Sequence, residues 1–561
     1  MAKPLAPWLC LALVVALYLF YWASARPADH FGRYHDDTIL FGSAQALARG
    51  QGYVLPSLPG SPPQSKYPVL FPWLLSWIWK WHPAFPENVA TAVWVTAAFG
   101  CWFLVAAFLL LRQLGLGDWM ALLVTALCAF HTLFVFLSGL LLSDVPFFAL
   151  ALTAVVIADR ALGERARPWS AVAAGLFTGL SMLTRSLGVA VFAGILVCAL
   201  CRRAHRQAAW FGAAAIPLAA FAALWPARQA PGAEWAAGWR QVWLYYTSYW
   251  EFWKLSVPDW STLRAMLSFN ALSWLEWPST FCFFSPPGRG ESFAGHLLSI
   301  TLTAGILAGI AREGKRRGWR PLHFAFVFYS AAVVLWNYAL MDRFLMVFLP
   351  LYFAGMYWEG GHLVSLLRRN LASGRPLAEK ALAALMGAGV LALAVASATH
   401  YLAGQRGLLL DPSTRRYALA PDQVELYDWI RRSTPPAARF VAYRDVRLYL
   451  HTARQAVRPV AFSSAAFYKQ DEAILRRDLA HIADAAWATG AQYWVVSSDD
   501  FDVETGGPAI EQRMAELKSA LPVVFRTAAG KIEVHDLGCL QQPERAACGA
   551  AVATLFPPGP P

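Results

Sequence analysis

Adjacent carboxylates, Asp36 and Asp37, open an amphipathic stretch near the start of the chain. A carboxylate held partly out of water has a raised pKa and becomes a usable general base for an attacking hydroxyl or amine. The same pair has a plainer reading as helix-start acids favoured by the dipole and by capping. His30 and His35 lie alongside, and with Asp36 they supply ligand types for a divalent metal, although paired loop histidines are more often solvated. Three cations stand apart in sequence: Lys66 in Gln64-Ser-Lys-Tyr-Pro68, Arg185 in Leu183-Thr-Arg-Ser-Leu-Gly188, and Arg343 in Met341-Asp-Arg-Phe344. Each could grip phosphate oxygens through charge-assisted hydrogen bonds, or simply snorkel to water from a helix end. Asp144, in Leu142-Ser-Asp-Val-Pro146, adds a further acid. The set suits a base working opposite a phosphate leaving group.

For these residues to cooperate, the elements carrying them must share one boundary, and the composition says what kind. Of 561 residues, 57% are hydrophobic and only 15% charged, which points to lipid rather than water as the main solvent. Eight cysteines spread over this length form neither a metal ribbon nor a disulfide framework. Apolar runs able to cross roughly 30 Å of hydrocarbon occur near 6–25, 88–111, 119–138, 145–162, 169–184, 187–201, 208–226, 293–311, 321–340, 343–358 and 380–402. The stretch 67–81 is short, carries Pro68 and Pro72, and ends with Lys80 among tryptophans, so it reads as interfacial. With that choice the inside loops hold 17 basic against 6 acidic residues, as the positive-inside tendency requires. Counting 67–81 as a span would turn the basic loops outward. The N-terminus is then cytoplasmic, and the loops at 26–87 and 227–292 and the tail are external. Lys3, the first apolar run and Ala23-Ser-Ala25 also resemble a cleavable signal, which would leave the later topology unchanged.

The loop at 227–292 carries Trp235, Trp239, Trp243, Tyr246, Trp250 and Trp253 at helical spacing, predicting one aromatic face that serves as an interfacial belt or a lid. After Gly404 the long apolar runs stop, predicting domains 1–402 and 403–561. The tail reads as a small α/β domain: helices at 422–432, 470–488 and 507–520, and strands at 439–443, 492–497, 523–526 and 531–535. It holds 18 basic and 18 acidic residues, which gives a nucleic acid no basic stripe on a soluble face. Cys539 and Cys548 lie in it, placed where a disulfide could persist or as free thiols. Cys198 and Cys201 read as helix-end packing with no redox role. The expected architecture is thus an all-α polytopic membrane domain of about eleven spans followed by the small α/β domain.

At these residues the chain resembles the GT-C superfamily of integral-membrane glycosyltransferases, in the bacterial branch near aminoarabinose transferases and protein O-mannosyltransferases. The likeness covers most of residues 1–400 and is strongest over Tyr34–Pro56 (YHDDTILFGSAQALARGQGYVLP) and Lys66-Tyr-Pro68, where Val69 replaces the second proline common in the family. Gly179-Leu-Ser-Met-Leu-Thr-Arg-Ser186 is similar to a family segment that often has lysine at the place of Arg185. Trp429-Ile-Arg-Arg-Ser-Thr-Pro-Pro436 and Leu448-Tyr-Leu-His-Thr-Ala-Arg454 are similar to accessory domains of some members. The resemblance implies two interfacial helices in the first loop and a polyprenyl-phosphate sugar donor at the bilayer. It implies inversion at the anomeric carbon and a glycan, lipid or protein acceptor arriving from the outer compartment. By the same resemblance Asp36 matches the catalytic acid, Asp37 its acidic neighbour, Lys66 a cation near the lipid phosphate, and Asp144 the acid that begins a later helix. No cofactor follows from it, and a divalent metal stays open because metal use varies among relatives. Two other readings fit the composition: a non-catalytic assembly or receptor protein, and a transporter of lipid-linked cargo. A transporter ordinarily carries its ionisable groups near the bilayer midplane, whereas these sit at helix ends.

Overall fold

In lipid an apolar run satisfies its backbone polar groups by coiling on itself, and the first run does so as the helix Ala6–Ser24, with Pro7 in its opening turn. The computed structural model describes residues 5–25, 30–32, 34–163, 167–228, 240–283, 292–337, 342–372, 419–469, 471–500 and 508–538, with scattered positions between 381 and 403. Among the described residues each apolar run read from the sequence up to residue 358 contains a helix or a broken series of helices, the run at 321–340 being helical over Pro321–Val334. The run at 380–402 lies largely outside the described residues. Among the described residues, four helices are long and apolar enough to cross a membrane: Ala6–Ser24, Asn88–Gln113, His205–Arg228 and Phe293–Arg317. Asp118–Ala129 and Thr132–Ser138, bent by 63°, make a fifth if taken as one broken span. The chain is a multi-pass membrane protein that is mostly helical, with a small sheet near its C-terminal end.

Its contacts divide the chain into two compact units, each assembled from three stretches. The first comprises Met1–Pro27, Val93–Ala220 and Phe269–Thr414. Here helices close on one another through small residues, as expected where lipid offers no hydrophobic drive to association. Gly309 and Gly355 bring Phe293–Arg317 against Leu349–Ala372, and a Cβ on either would strike the carbonyl oxygen of the other helix. Gly194 does the same for Gly188–Cys201 against the Ala325 backbone of Pro321–Val334. Cys198 is buried and Cys201 exposed, both as free thiols.

The second unit comprises Ala28–Ala92, Phe221–Ser268 and Arg415–Pro561. Its sheet has strands β1 (Arg439–Ala442), β2 (Gln455–Val457), β3 (Tyr493–Ser497), β4 (Val523–Arg526) and β5 (Ile532–Asp536), in the order β2-β1-β3-β5-β4. β1 lies parallel to both β2 and β3, while β5 pairs antiparallel with β3 and β4. Leu426, Tyr427 and Ile430 of the helix Pro421–Ser433 pack with Phe440, Val495 and Val534 of the sheet to make its core. The β2 edge is not left open: Ala456 N–H donates to the Ser57 carbonyl at 2.8 Å and Gln455 Nε2 to that of Leu58 at 2.8 Å. A first-loop segment thereby covers an edge that would otherwise pair with other chains.

The first loop holds two helices, His35–Ala48 and Leu70–Trp81. They pack through Phe41 and Trp79, whose ring centroids are 4.8 Å apart and whose indole N–H donates to the Phe41 carbonyl. Leu70–Trp81 buries Phe71, Leu75 and Trp79 and leaves Trp73, Trp77 and Trp81 exposed, the two-faced pattern of an interfacial helix. The aromatic stripe behaves differently from its expected single face. It is split into Arg240–Thr247 and Tyr249–Ser256 at Ser248, whose hydroxyl accepts from Glu251 N–H and caps the second helix. The break buries Trp243 and Tyr246 but exposes Trp250, so the rings do not share a face. Trp235 and Trp239 lie outside the described residues, as do Cys539 and Cys548.

Candidate functional site

The two first-loop carboxylates, adjacent in sequence, meet opposite surroundings because successive helical residues point about 100° apart. Asp37 is fully buried and accepts the Gly32 N–H at 3.0 Å. Gly32 is in the left-handed region at φ 85°, and the Arg447 side chain lies only 3.1 Å from where a Cβ would stand, so glycine is needed there twice over. Burial lifts the Asp37 carboxyl to about 8, against the pull of the Gly32 N–H and the Arg447 charge. Asp36 is half-buried and accepts the Tyr67 hydroxyl at 2.6 Å. Burial and the facing Asp36 carboxylate hold the Tyr67 phenol well above its ordinary value, so it stays protonated and donates.

Lys66 precedes that tyrosine and is buried too. Its backbone is fixed by the Gln64 side chain, and its Nζ donates to the Tyr245 carbonyl at 2.7 Å. The ammonium lies 4.1 Å from the Tyr245 ring centroid and 4.9 Å from that of Tyr249. Burial pulls Lys66 down to about 8, Asp36 opposing the shift and Arg458 adding to it. At neutral pH it keeps most of its charge, yet no carboxylate claims it as a close partner among the ion pairs of the described residues.

His35 joins the same network. Its Nε2 is 2.6 Å from Asp445 Oδ1 and its Nδ1 is 3.2 Å from the Tyr245 hydroxyl. The second Asp445 oxygen accepts the Tyr246 hydroxyl at 2.6 Å, and the Arg458 N–H donates to that hydroxyl at 3.1 Å. The candidate metal set does not form: His35 is committed to Asp445 and Tyr245, and His30 is buried. Among the described residues no three His, Cys, Asp or Glu side chains group to hold a metal ion.

The other candidates belong to the first unit. Asp144 begins the helix Asp144–Ala161, where its charge suits the dipole, and is almost fully buried. Arg185 sits in the turn between Pro168–Thr184 and Gly188–Cys201. The Arg185 N–H donates to the Ser181 carbonyl and the Arg185 carbonyl accepts the Gly188 N–H, both at 2.9 Å. A side chain at 188 would collide with the Met182 backbone, so the turn exists because Gly188 does. Arg185 Nη1 reaches Asp144 Oδ1 at 2.5 Å, and Arg343 Nη1 lies 3.8 Å from Asp144 Oδ2. Both guanidinium groups also pack on the Phe344 ring, at 4.7 and 5.3 Å. Phe344 is fixed in turn by its carbonyl, which accepts the Tyr329 hydroxyl at 2.8 Å.

The six residues singled out by sequence therefore fall into two groups. Asp36, Asp37 and Lys66 stand in the second unit, and Asp144, Arg185 and Arg343 are paired in the first. Sequence reasoning did not single out Tyr67, Tyr245 or Asp445. Tyr245 lay inside a recognised aromatic stripe, but nothing local distinguishes Asp445 in Tyr443-Arg-Asp-Val446.

The fold of the chain is similar to that of ArnT from Cupriavidus metallidurans bound to undecaprenyl phosphate, at a TM-score of 0.52 and 13% identity, over 95% of this chain and 99% of that one. It is also similar to the Archaeoglobus fulgidus oligosaccharyltransferase in complex with Zn and sulfate, at 0.50 and 14%, over 93% of this chain and 72% of that one. The likeness to these two solved structures is one of three-dimensional fold, over nearly the whole of this chain. No family model and no curated protein matches the sequence.

Proposed function

We propose that the protein is a membrane glycosyltransferase that moves a sugar from a polyprenyl-phosphate donor to an acceptor on the outer face of the cytoplasmic membrane, with inversion. The observation that carries this reading is the gathering of Asp36 and Lys66 about Tyr67, whose hydroxyl donates to the carboxylate and whose ring lies 5.3 Å from the ammonium, in a chain whose fold is similar to that of a protein solved bound to undecaprenyl phosphate. In the proposed reaction Asp36 takes the proton of an acceptor O–H or N–H as that atom attacks the anomeric carbon. The bond from that carbon to the phosphate oxygen breaks on the opposite side, its electron pair stays on the phosphate, and polyprenyl phosphate leaves. Lys66 is the cation of that cluster assigned to the phosphate charge as it develops, while Arg185 and Arg343 are paired with Asp144 in the first unit. Asp144 holds the two arginines, and Asp37 supports the helix start that carries Asp36. The N-terminus is assigned to the cytoplasm and residues 403–561 to the periplasmic or extracellular side, as a separate domain in sequence.

The test is release of polyprenyl phosphate by purified protein supplied with a polyprenyl-phosphate sugar and cell-envelope acceptor. Release that stops in a folded Asp36→Asn variant supports the reading. A carrier or an assembly protein would bind the lipid and return it unchanged, and that result would refute transfer.

A further inference from the structure

The C-terminal segment enters the first-loop cluster through one side chain. Asp445 starts the helix Asp445–Thr452 and is fully buried, yet neither oxygen is spent on capping that helix. One faces His35 Nε2 and the other takes the Tyr246 hydroxyl, both at 2.6 Å. A carboxylate only accepts, so the proton of a neutral His35 sits on Nε2 and Nδ1 offers its lone pair. The group facing Nδ1 is the Tyr245 hydroxyl, at 3.2 Å, which therefore donates. Tyr245 is the residue whose carbonyl and ring hold Lys66 Nζ. Asp445, His35, Tyr245 and Lys66 thus form a continuous chain in which each polar atom's role is set by its neighbour.

We infer that Asp445 is a positioning residue: by fixing the tautomer and ring of His35 it fixes Tyr245, and through Tyr245 the ammonium of Lys66, so the C-terminal segment sets the donor-phosphate contact without touching substrate. The inference rests on the reading of Lys66 as a phosphate-binding cation. It makes the tail part of the donor site, a role that charge neutrality and a small sheet alone would not indicate.

The experiment measures polyprenyl phosphate affinity in detergent, turnover of the polyprenyl-phosphate sugar, and thermal unfolding, for wild type, Asp445→Asn, Asp445→Glu, His35→Gln and the Asn/Gln double variant. Asparagine keeps the shape of Asp445 but can present N–H to His35, reversing the tautomer. Expected is a loss of about tenfold or more in affinity for polyprenyl phosphate, seen in turnover mainly as a raised KM, a scale ordinary for outer-layer partners. Glutamate should restore part of it. The double variant should lose no more than the worse single one, because both act through one path. Wild-type affinity in folded Asp445→Asn, or losses that multiply in the double variant, would overturn the inference. If the Asp445 variants fail to fold, His35→Gln, which leaves the Asp445 bond to Tyr246 intact, decides: wild-type affinity there also overturns it. Wild type that binds no polyprenyl phosphate refutes the donor reading itself, a failure visible without any variant.

Discussion

The two charged groups use the same residue types in opposite ways. Around Asp144 the charges are spent on each other: one buried carboxylate, two arginines and a ring beneath them. Around Asp36 neutral groups take part, a phenol that donates to the carboxylate and a carbonyl and rings on Lys66. A charge satisfied by dipoles can be recruited by a ligand or a proton, whereas a charge locked in an ion pair mainly holds structure. Chemistry is thus to be sought around Asp36 and rigidity around Asp144.

The two groups should differ most in their response to loss of the acid. Asp36→Asn should cut polyprenyl phosphate release by roughly 10²- to 10⁴-fold, the usual worth of a general base. It should leave the unfolding temperature near wild type, since Tyr67 can donate to an amide oxygen as well. Asp144→Asn should do the reverse, because removing one partner of a buried ion pair costs about 3–5 kcal/mol and leaves Arg185 and Arg343 facing each other. Thermal unfolding and the yield of folded protein read that loss. A stable Asp144→Asn protein that has lost only turnover would erase the distinction.

A smaller effect separates the cations. Lys66 falls to about 8 through burial, so its charged form prevails below that pH and is lost above it. The donor phosphodiester keeps its charge throughout, so kcat/KM for donor should decline as pH rises through about 8. Lys66→Arg should carry activity further into the alkaline range, because guanidinium does not titrate there. A profile unchanged by that substitution would remove Lys66 from the donor site.

How much of this was legible in the sequence follows the range of the interactions. Apolar runs and the Trp/Lys/Pro pattern at 67–81 are local, and they anticipated the helices, including Leu70–Trp81. The tail strands near 439, 493, 523 and 532 were likewise legible from alternation and turn residues. β2 was not, because three residues carry no period, and neither was the Asp445–Thr452 helix beside it. The break at Ser248 was hidden by a spacing that would suit one continuous helix. In the site, residue type pointed to Asp36 and Lys66, but their settings come from Tyr245 and, through His35, from Asp445, far along the chain. Nothing in a local pattern encodes such a partner.

The smallest predicted effect on turnover lies at Asp37, where stability instead tests whether burial or Arg447 governs that carboxyl. With the folded pKa raised to about 8, above an ordinary carboxylate near 4, the folded state holds a proton that the unfolded chain releases. The stability Asp37 contributes is then fully present below about pH 4 and is lost as pH rises through about 8. Asp37→Asn resembles the protonated form and can still accept the Gly32 N–H, so it should differ from wild type by less than about 1 kcal/mol below about pH 4 and gain on it progressively as pH rises from about 4 to about 8. Above pH 8 it should melt higher than wild type, and its unfolding temperature should vary less across this window. Were Asp37 instead ionised and paired with Arg447, the asparagine would be destabilising at every pH above 4. Melting curves for the two proteins between pH 5 and 9 separate the cases by the sign of their difference at the alkaline end.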